Sequence, residues 1–129
     1  MGQPRRDAPI IAIVDDDASV RRSLARVLRA AGFATETFTS AREFLVWLPD
    51  AQAACLVLDV HLDGMSGFEL QKRLAVPVLF ITAHDDPVTR ARLETSGAIG
   101  HLWKPFDEDA LLRAVRQVVS RADRFASGS

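Results

Sequence analysis

Three short apolar runs, Ile10–Val14, Cys55–Leu58 and Val78–Ile81, each break off at a polar residue: Asp15, Asp59 and Thr82. Runs of this length without alternation read as strands buried on both faces. Strands of that kind belong to a parallel sheet covered by helices on each side, which restricts the chain to a small set of topologies. Their last residues then share the edge where such a sheet opens to solvent. In open α/β sheets, ligands bind outside the carboxyl ends of the strands, where strand order reverses.

The segments between the runs have helical character. Val20, Leu24, Val27, Leu28 and Ala31 recur on one helical face, and Gly32 follows where a left-handed residue ends a helix. Ser40-Ala41-Arg42-Glu43 and Ser66-Gly67-Phe68-Glu69 each match a capping box. Asp86-Pro87 is an N-cap followed by proline at the first helical position, and Asp107 precedes an apolar stripe of Leu111, Leu112, Val115, Val118 and Val119. The helix after Pro87 is poor in apolar residues. Pro49 and Asp50 are expected to stop the second helix, and Val76-Pro77 the third. Ala34–Phe38 and Ala98–Trp103 supply two further strands, the first alternating like an edge strand. Five strands alternating with five helices predict an α/β fold: a flavodoxin-like, doubly wound, five-stranded parallel sheet of order 2-1-3-4-5. The domain is expected to span residues 9–121, with a flexible tail at 1–8 and a flexible tail or the start of a linker at 122–129.

Composition excludes several classes. A length of 129 residues holds one domain with a real core. A net charge of −1 leaves no footprint for direct nucleic-acid binding. No apolar run has membrane-spanning length, and no signal-peptide pattern opens the chain. Cys55 is the single cysteine, which forbids an internal disulfide and suits a reducing, cytoplasmic compartment. It reads as an inert buried thiol, and Trp47 and Trp103 read as packing residues.

With strand order 2-1-3-4-5, Asp15, Asp16 and Asp59 converge. Clustered carboxylates repel and raise one another's pKa. A hard divalent cation relieves that repulsion, and Mg²⁺ uses one or two carboxylates together with water and phosphate oxygens. Carboxylates also act as nucleophiles toward phosphoryl groups. At neighbouring strand ends, Thr82 offers a hydroxyl and Lys104 an ammonium, and Ala83 is small enough to leave room for a phosphoryl donor.

The set Ile13-Val14-Asp15-Asp16-Asp17, Leu58-Asp59, Ile81-Thr82-Ala83 and Lys104-Pro105-Phe106 resembles the receiver domain of two-component response regulators, over about residues 10–120. The resemblance implies a phosphorylatable switch, not a turnover enzyme. Asp59 would accept a phosphoryl group from a sensor histidine kinase or phosphotransfer protein. Mg²⁺ would be held by Asp15, Asp16, Asp59 and the backbone carbonyl of His61. Lys104 would pair with Asp59, and the Lys104-Pro105 bond would be cis. Thr82 would couple the site to a surface built by the fourth helix, fifth strand and fifth helix, which would control an output domain or protein target and could form a phosphorylation-dependent homodimer.

Some positions depart from the family's pattern. The switch aromatic expected three residues before Lys104 is His101, a side-chain type whose ordinary charge change falls near neutral pH. His61 and His84 stand at the two positions that tune phosphoryl hydrolysis. The third helix is clipped. An aspartate-nucleophile phosphatase would need a carboxylate where His61 stands. A flavodoxin-type cofactor carrier would not place three aspartates at its phosphate loop, and a binding-only receiver would lack one of the acidic or basic residues present here. A transition-metal site formed by His61, His84 and His101 with the aspartates is a further alternative. The helix-1 arginines Arg21, Arg22, Arg26 and Arg29 read as a solvated face, with kinase docking as the alternative.

Overall fold

The computed structural model describes residues 9–48 and 53–128, with side chains through Ser120. Five strands alternate with five helices: β1 (Ile10–Val14), α1 (Ala18–Ala30), β2 (Ala34–Phe38), α2 (Ala41–Trp47), β3 (Cys55–Asp59), α3 (Gly67–Lys72), β4 (Val78–Thr82), α4 (Pro87–Thr95), β5 (Gly100–Trp103) and α5 (Glu108–Gly128). All strand pairs are parallel, in the order β2-β1-β3-β4-β5. The expected α/β fold and its strand order are thus observed.

The buried runs form strands because both of their faces meet helices. Ile11, Ile13, Cys55, Val57, Leu79 and Ile81 pack with α1 and α5 through Leu24, Leu28, Leu111 and Val115. Ala12, Val14, Leu56, Leu58, Val78 and Phe80 pack on the opposite face with Phe44, Phe68, Leu70 and Leu93. Burial pushes the Cys55 thiol up to about 12, which leaves it inert.

Caps set the helix boundaries. Asp17 accepts the Ser19 and Val20 N–H groups, Ser40 that of Glu43, Ser66 that of Glu69, and Asp86 that of Thr89. Asp107 accepts the Ala110 N–H at 3.1 Å. α1 ends with Gly32 at φ 99°. The Gly32 N–H donates to the Arg29 carbonyl and the Phe33 N–H to that of Leu28, a Schellman closure that satisfies two terminal carbonyls.

Differences from expectation lie at element ends. β5 begins at Gly100, two residues later than the sequence pattern suggests, because Gly97 turns the chain at φ 78° and only Ile99 N–H reaches the Val78 carbonyl before it. α5 continues to Gly128. The third helix is clipped, at six residues. The expected tail at 1–8 and the stop at Pro49-Asp50 lie outside the described residues. Among the described residues, no helix is long and apolar enough to cross a membrane.

Candidate phosphoacceptor and metal site

Asp15 immediately follows β1 and Asp59 ends β3, on adjacent strands. Asp15 is fully buried and Asp59 nearly so, because the strands end beneath the loops that lead into α1 and α3. The Asp15 N–H still bonds the Phe38 carbonyl at 3.2 Å, prolonging the ladder by one residue. Its Oδ1 accepts the Asp17 N–H at 2.9 Å. Asp59 Oδ1 accepts the His61 N–H at 3.1 Å. Each carboxylate therefore has one oxygen fixed by the backbone and one left for ionic partners.

Lys104 serves both free oxygens. Its Nζ lies 2.9 Å from Asp15 Oδ2 and 3.2 Å from Asp59 Oδ2. The contact to Asp59 is also a hydrogen bond. The contact to fully buried Asp15 Oδ2 is the shorter of the two, and Lys104 is the ionic partner of that oxygen. Lys104 is delivered to this place by β5, whose end is tied to β4 through the Lys104 N–H and the Thr82 carbonyl at 2.9 Å. The following Lys104-Pro105 bond is cis.

Electrostatics follow from this crowding. Burial drives the Asp59 carboxyl above its ordinary value; the Asp15 charge adds to that, and the His61 N–H and Lys104 oppose it without cancelling it. Burial by itself would lower Lys104, but the two carboxylates outweigh it and hold the ammonium above its ordinary value. One ammonium thus faces two buried carboxylates, with a third, the exposed Asp16, beside them.

Asp15, Asp16 and Asp59 each place a carboxylate oxygen within 4.8 Å of the others. An all-oxygen set of three carboxylates, carrying more negative charge than the single Lys104 ammonium offsets, fits a hard divalent cation such as Mg²⁺. No histidine belongs to this cluster among the described residues. The His101 ring instead meets Trp103 edge-on at 5.2 Å, so the three histidines do not gather around the aspartates as a transition-metal site requires.

Thr82, at the end of β4, is fully buried, and its Oγ1 accepts the His84 N–H at 3.0 Å. The hydroxyl proton remains available to a ligand. His61 and His84, two residues beyond Asp59 and Thr82, bring their rings to 3.9 Å between centroids, at the rim of the acidic cluster. Gly67 lies beneath it: a Cβ there would sit 2.4 Å from the Asp59 carbonyl oxygen and 3.0 Å from Val60 Cα. Only glycine lets α3 begin against the end of β3.

The response regulator receiver domain model matches residues 11–116, most of the chain. The chain belongs to the response regulator receiver family. Curated relatives agree. The receiver is 42% identical to nodulation protein W of Bradyrhizobium diazoefficiens over 118 residues, 87% of this chain and 52% of that protein. It is 36% identical to the transcriptional regulatory protein FixJ of the same organism, covering 88% of this chain and 58% of FixJ. The receiver therefore spans about half the length of these relatives. Among solved structures, a response regulator receiver protein from Burkholderia phymatum superposes with a TM-score of 0.79 at 45% identity, covering 87% of this chain and 95% of that one.

Two contributors escaped the sequence reading. Arg21 Nη1 donates to the Asp15 carbonyl at 2.6 Å, which holds the backbone of the buried carboxylate. Arg29 Nε donates to Thr35 Oγ1 at 2.6 Å, tying α1 to β2. Half of the arginine face expected to be solvated is therefore spent on holding α1 in place. The available signal was Arg21's position in the first turn after Asp15, on the side that returns to the sheet.

Proposed function

We propose that this receiver is a phosphorylation-controlled switch in which Asp59 accepts a phosphoryl group from a phosphohistidine of a sensor kinase or phosphotransfer protein. The observation that carries the reading is the buried Asp59–Lys104–Asp15 arrangement beside Asp16. An Asp59 oxygen attacks phosphorus, the P–N bond breaks, and the imidazole leaves and takes a proton from solvent. The product is an acyl phosphate on Asp59. Asp15, Asp16, Asp59 and the His61 carbonyl would hold Mg²⁺. When bound, that ion supplies positive charge to the phosphoryl oxygens and favours the ionised carboxylate.

The chain's own groups do the rest. Lys104 keeps Asp59 paired before transfer and pairs with a phosphoryl oxygen after it. The Thr82 hydroxyl donates to a second phosphoryl oxygen, giving up its present bond with the His84 N–H. His61 and His84 cover the attack side of the acyl phosphate and set its rate of hydrolysis. The output is a changed surface over α4, β5 and α5, which acts on an output domain or protein target, with a phosphorylation-dependent dimer through that face as one outcome. The receiver has its place in the cytoplasm, without direct contact to nucleic acid or membrane.

Intact mass after incubation with acetyl phosphate and Mg²⁺ tests this reading. The expected result is one added phosphoryl group on the native chain and none on Asp59→Asn. A native chain that stays unmodified, and that gains no stability from Mg²⁺ with beryllofluoride, would overturn it.

A further inference from the structure

The α4 edge of the sheet contains a set of contacts that the phosphoacceptor site leaves unused. Residues paired across parallel strands point to the same face. Thr82 pairs with Trp103, and Phe80 with His101. Trp103 packs against the core cluster that contains Phe80 and Leu93, so Thr82 and Trp103 share the face covered by α4. Arg90, from the first turns of α4, places its Cζ 5.6 Å from the centre of the Trp103 ring. The same guanidinium grips Asp85 through two nitrogens, Nε to Oδ1 and Nη2 to Oδ2, the latter at 2.8 Å.

Asp85 directly follows His84, whose N–H is bonded to the Thr82 hydroxyl oxygen. The contacts therefore form a chain: Thr82 to the His84 backbone, the adjoining Asp85 to Arg90, and Arg90 to Trp103, the strand partner of Thr82. His101, paired with Phe80 on the same face, is exposed; its ring meets that of Trp103 at 5.2 Å between centroids and 75°.

We propose that Trp103, capped by Arg90, is the aromatic residue that carries the state of Asp59 to the α4–β5 surface, the part that the family resemblance gives to position 101. The inference rests on the reading of Asp59 as phosphoacceptor. A Thr82 hydroxyl drawn toward a phosphoryl oxygen releases the His84 N–H. The loop that presents Asp85 then shifts, and Arg90 loses its fixed position over the indole. Trp103 is half-buried, so a change in its cover alters both the exposed surface and the seat of α4. A cation above an aromatic face and a two-pronged ion pair are both directional, so a small displacement of the loop breaks one or both.

The native chain labelled with 5-fluorotryptophan tests this, because its two tryptophans, Trp47 and Trp103, give two fluorine signals. Trp103→Phe assigns them without disturbing Trp47. Spectra are taken with Mg²⁺ alone and with Mg²⁺ and beryllofluoride, alongside the mass of the acetyl phosphate adduct. The Trp103 signal is expected to move with beryllofluoride beyond its change with Mg²⁺ alone, while Trp47 stays. Arg90→Ala and Asp85→Asn are each expected to remove at least half of that movement and leave the adduct at Asp59 intact. His101→Ala should leave the movement in place. An adduct with an unmoved Trp103 signal, or a movement that survives Arg90→Ala and disappears in His101→Ala, overturns the inference and leaves the phosphoacceptor standing. Absence of both adduct and beryllofluoride response overturns the phosphoacceptor reading and this inference with it.

Discussion

α1 and α4 cover opposite faces of one sheet and are held to it very differently. α1 has thirteen residues, buries Leu24, Ala25, Val27 and Leu28, and ends in a Schellman closure. Arg21 and Arg29 tie it to β1 and β2 by side-chain hydrogen bonds. α4 has nine residues and buries only Thr89 and Leu93, while Val88 is 70% exposed. Its other ties are the Asp86 cap, the Arg90 contacts at the surface, Arg92 over the Phe68 ring at 4.3 Å, and a bond from Gln71 Nε2 to the carbonyl of its C-cap Ser96 at 2.9 Å. Segments with few buried apolar contacts open at lower free energy than the whole fold. The acidic pair thus rests beside the firmly held helix, and Thr82 beside the lightly held one. A switch needs both: a rigid place to bind and an element cheap to move.

The strongest way to break this contrast is in α1. Leu24→Ala empties a fully buried position and is expected to cost about 3 kcal/mol, read as a lower urea midpoint with an unchanged slope. Hydrogen exchange sharpens the point. In the native chain, α4 amides should exchange at least tenfold faster than those of α1; equal protection in the two helices would refute the contrast.

A middle-sized effect with the opposite sign is expected at the site. Asp59→Asn removes a charge that burial disfavours and should stabilise the metal-free receiver at neutral pH by the order of 1 kcal/mol, about 3–6 °C in melting temperature. The sign follows from linkage. The folded state holds the Asp59 proton more tightly than the unfolded chain, so this contribution is full below the unfolded value and is lost as pH rises through the folded one. The two melting temperatures should therefore converge in acid and separate toward neutrality. Mg²⁺ binding only the native fold should narrow the gap. A native chain more stable than Asp59→Asn at neutral pH without metal would contradict the burial cost.

The smallest expected effect is Asp86→Ala, which removes the α4 cap and its bonds to the Thr89 N–H and hydroxyl. Exchange of the α4 amides should quicken a few-fold while α1 is unchanged.

The strands and caps were legible because they depend on local chemistry: uninterrupted apolar runs, Ser or Asp before a helical stripe, glycine after one. The acidic cluster was legible because strand order brings strand ends together. What escaped depends on tertiary placement. The bond from Arg21 to the Asp15 carbonyl and that from Arg29 to Thr35 require knowing which side of α1 faces β2. Trp103 reads as a packing residue from sequence, and its cover by Arg90 exists only once α4 is laid over β5. The late start of β5 follows from a left-handed turn at Gly97, which its surrounding pattern of small and apolar residues does not announce.

The absent side chain at Gly67 ties two parts of the molecule together. Any Cβ there would press on the Asp59 carbonyl and on Val60, so a mutation at this position moves Asp59 and the start of α3 at once. A substitution at position 67 is thus felt by the packing of α3 and by the candidate site together.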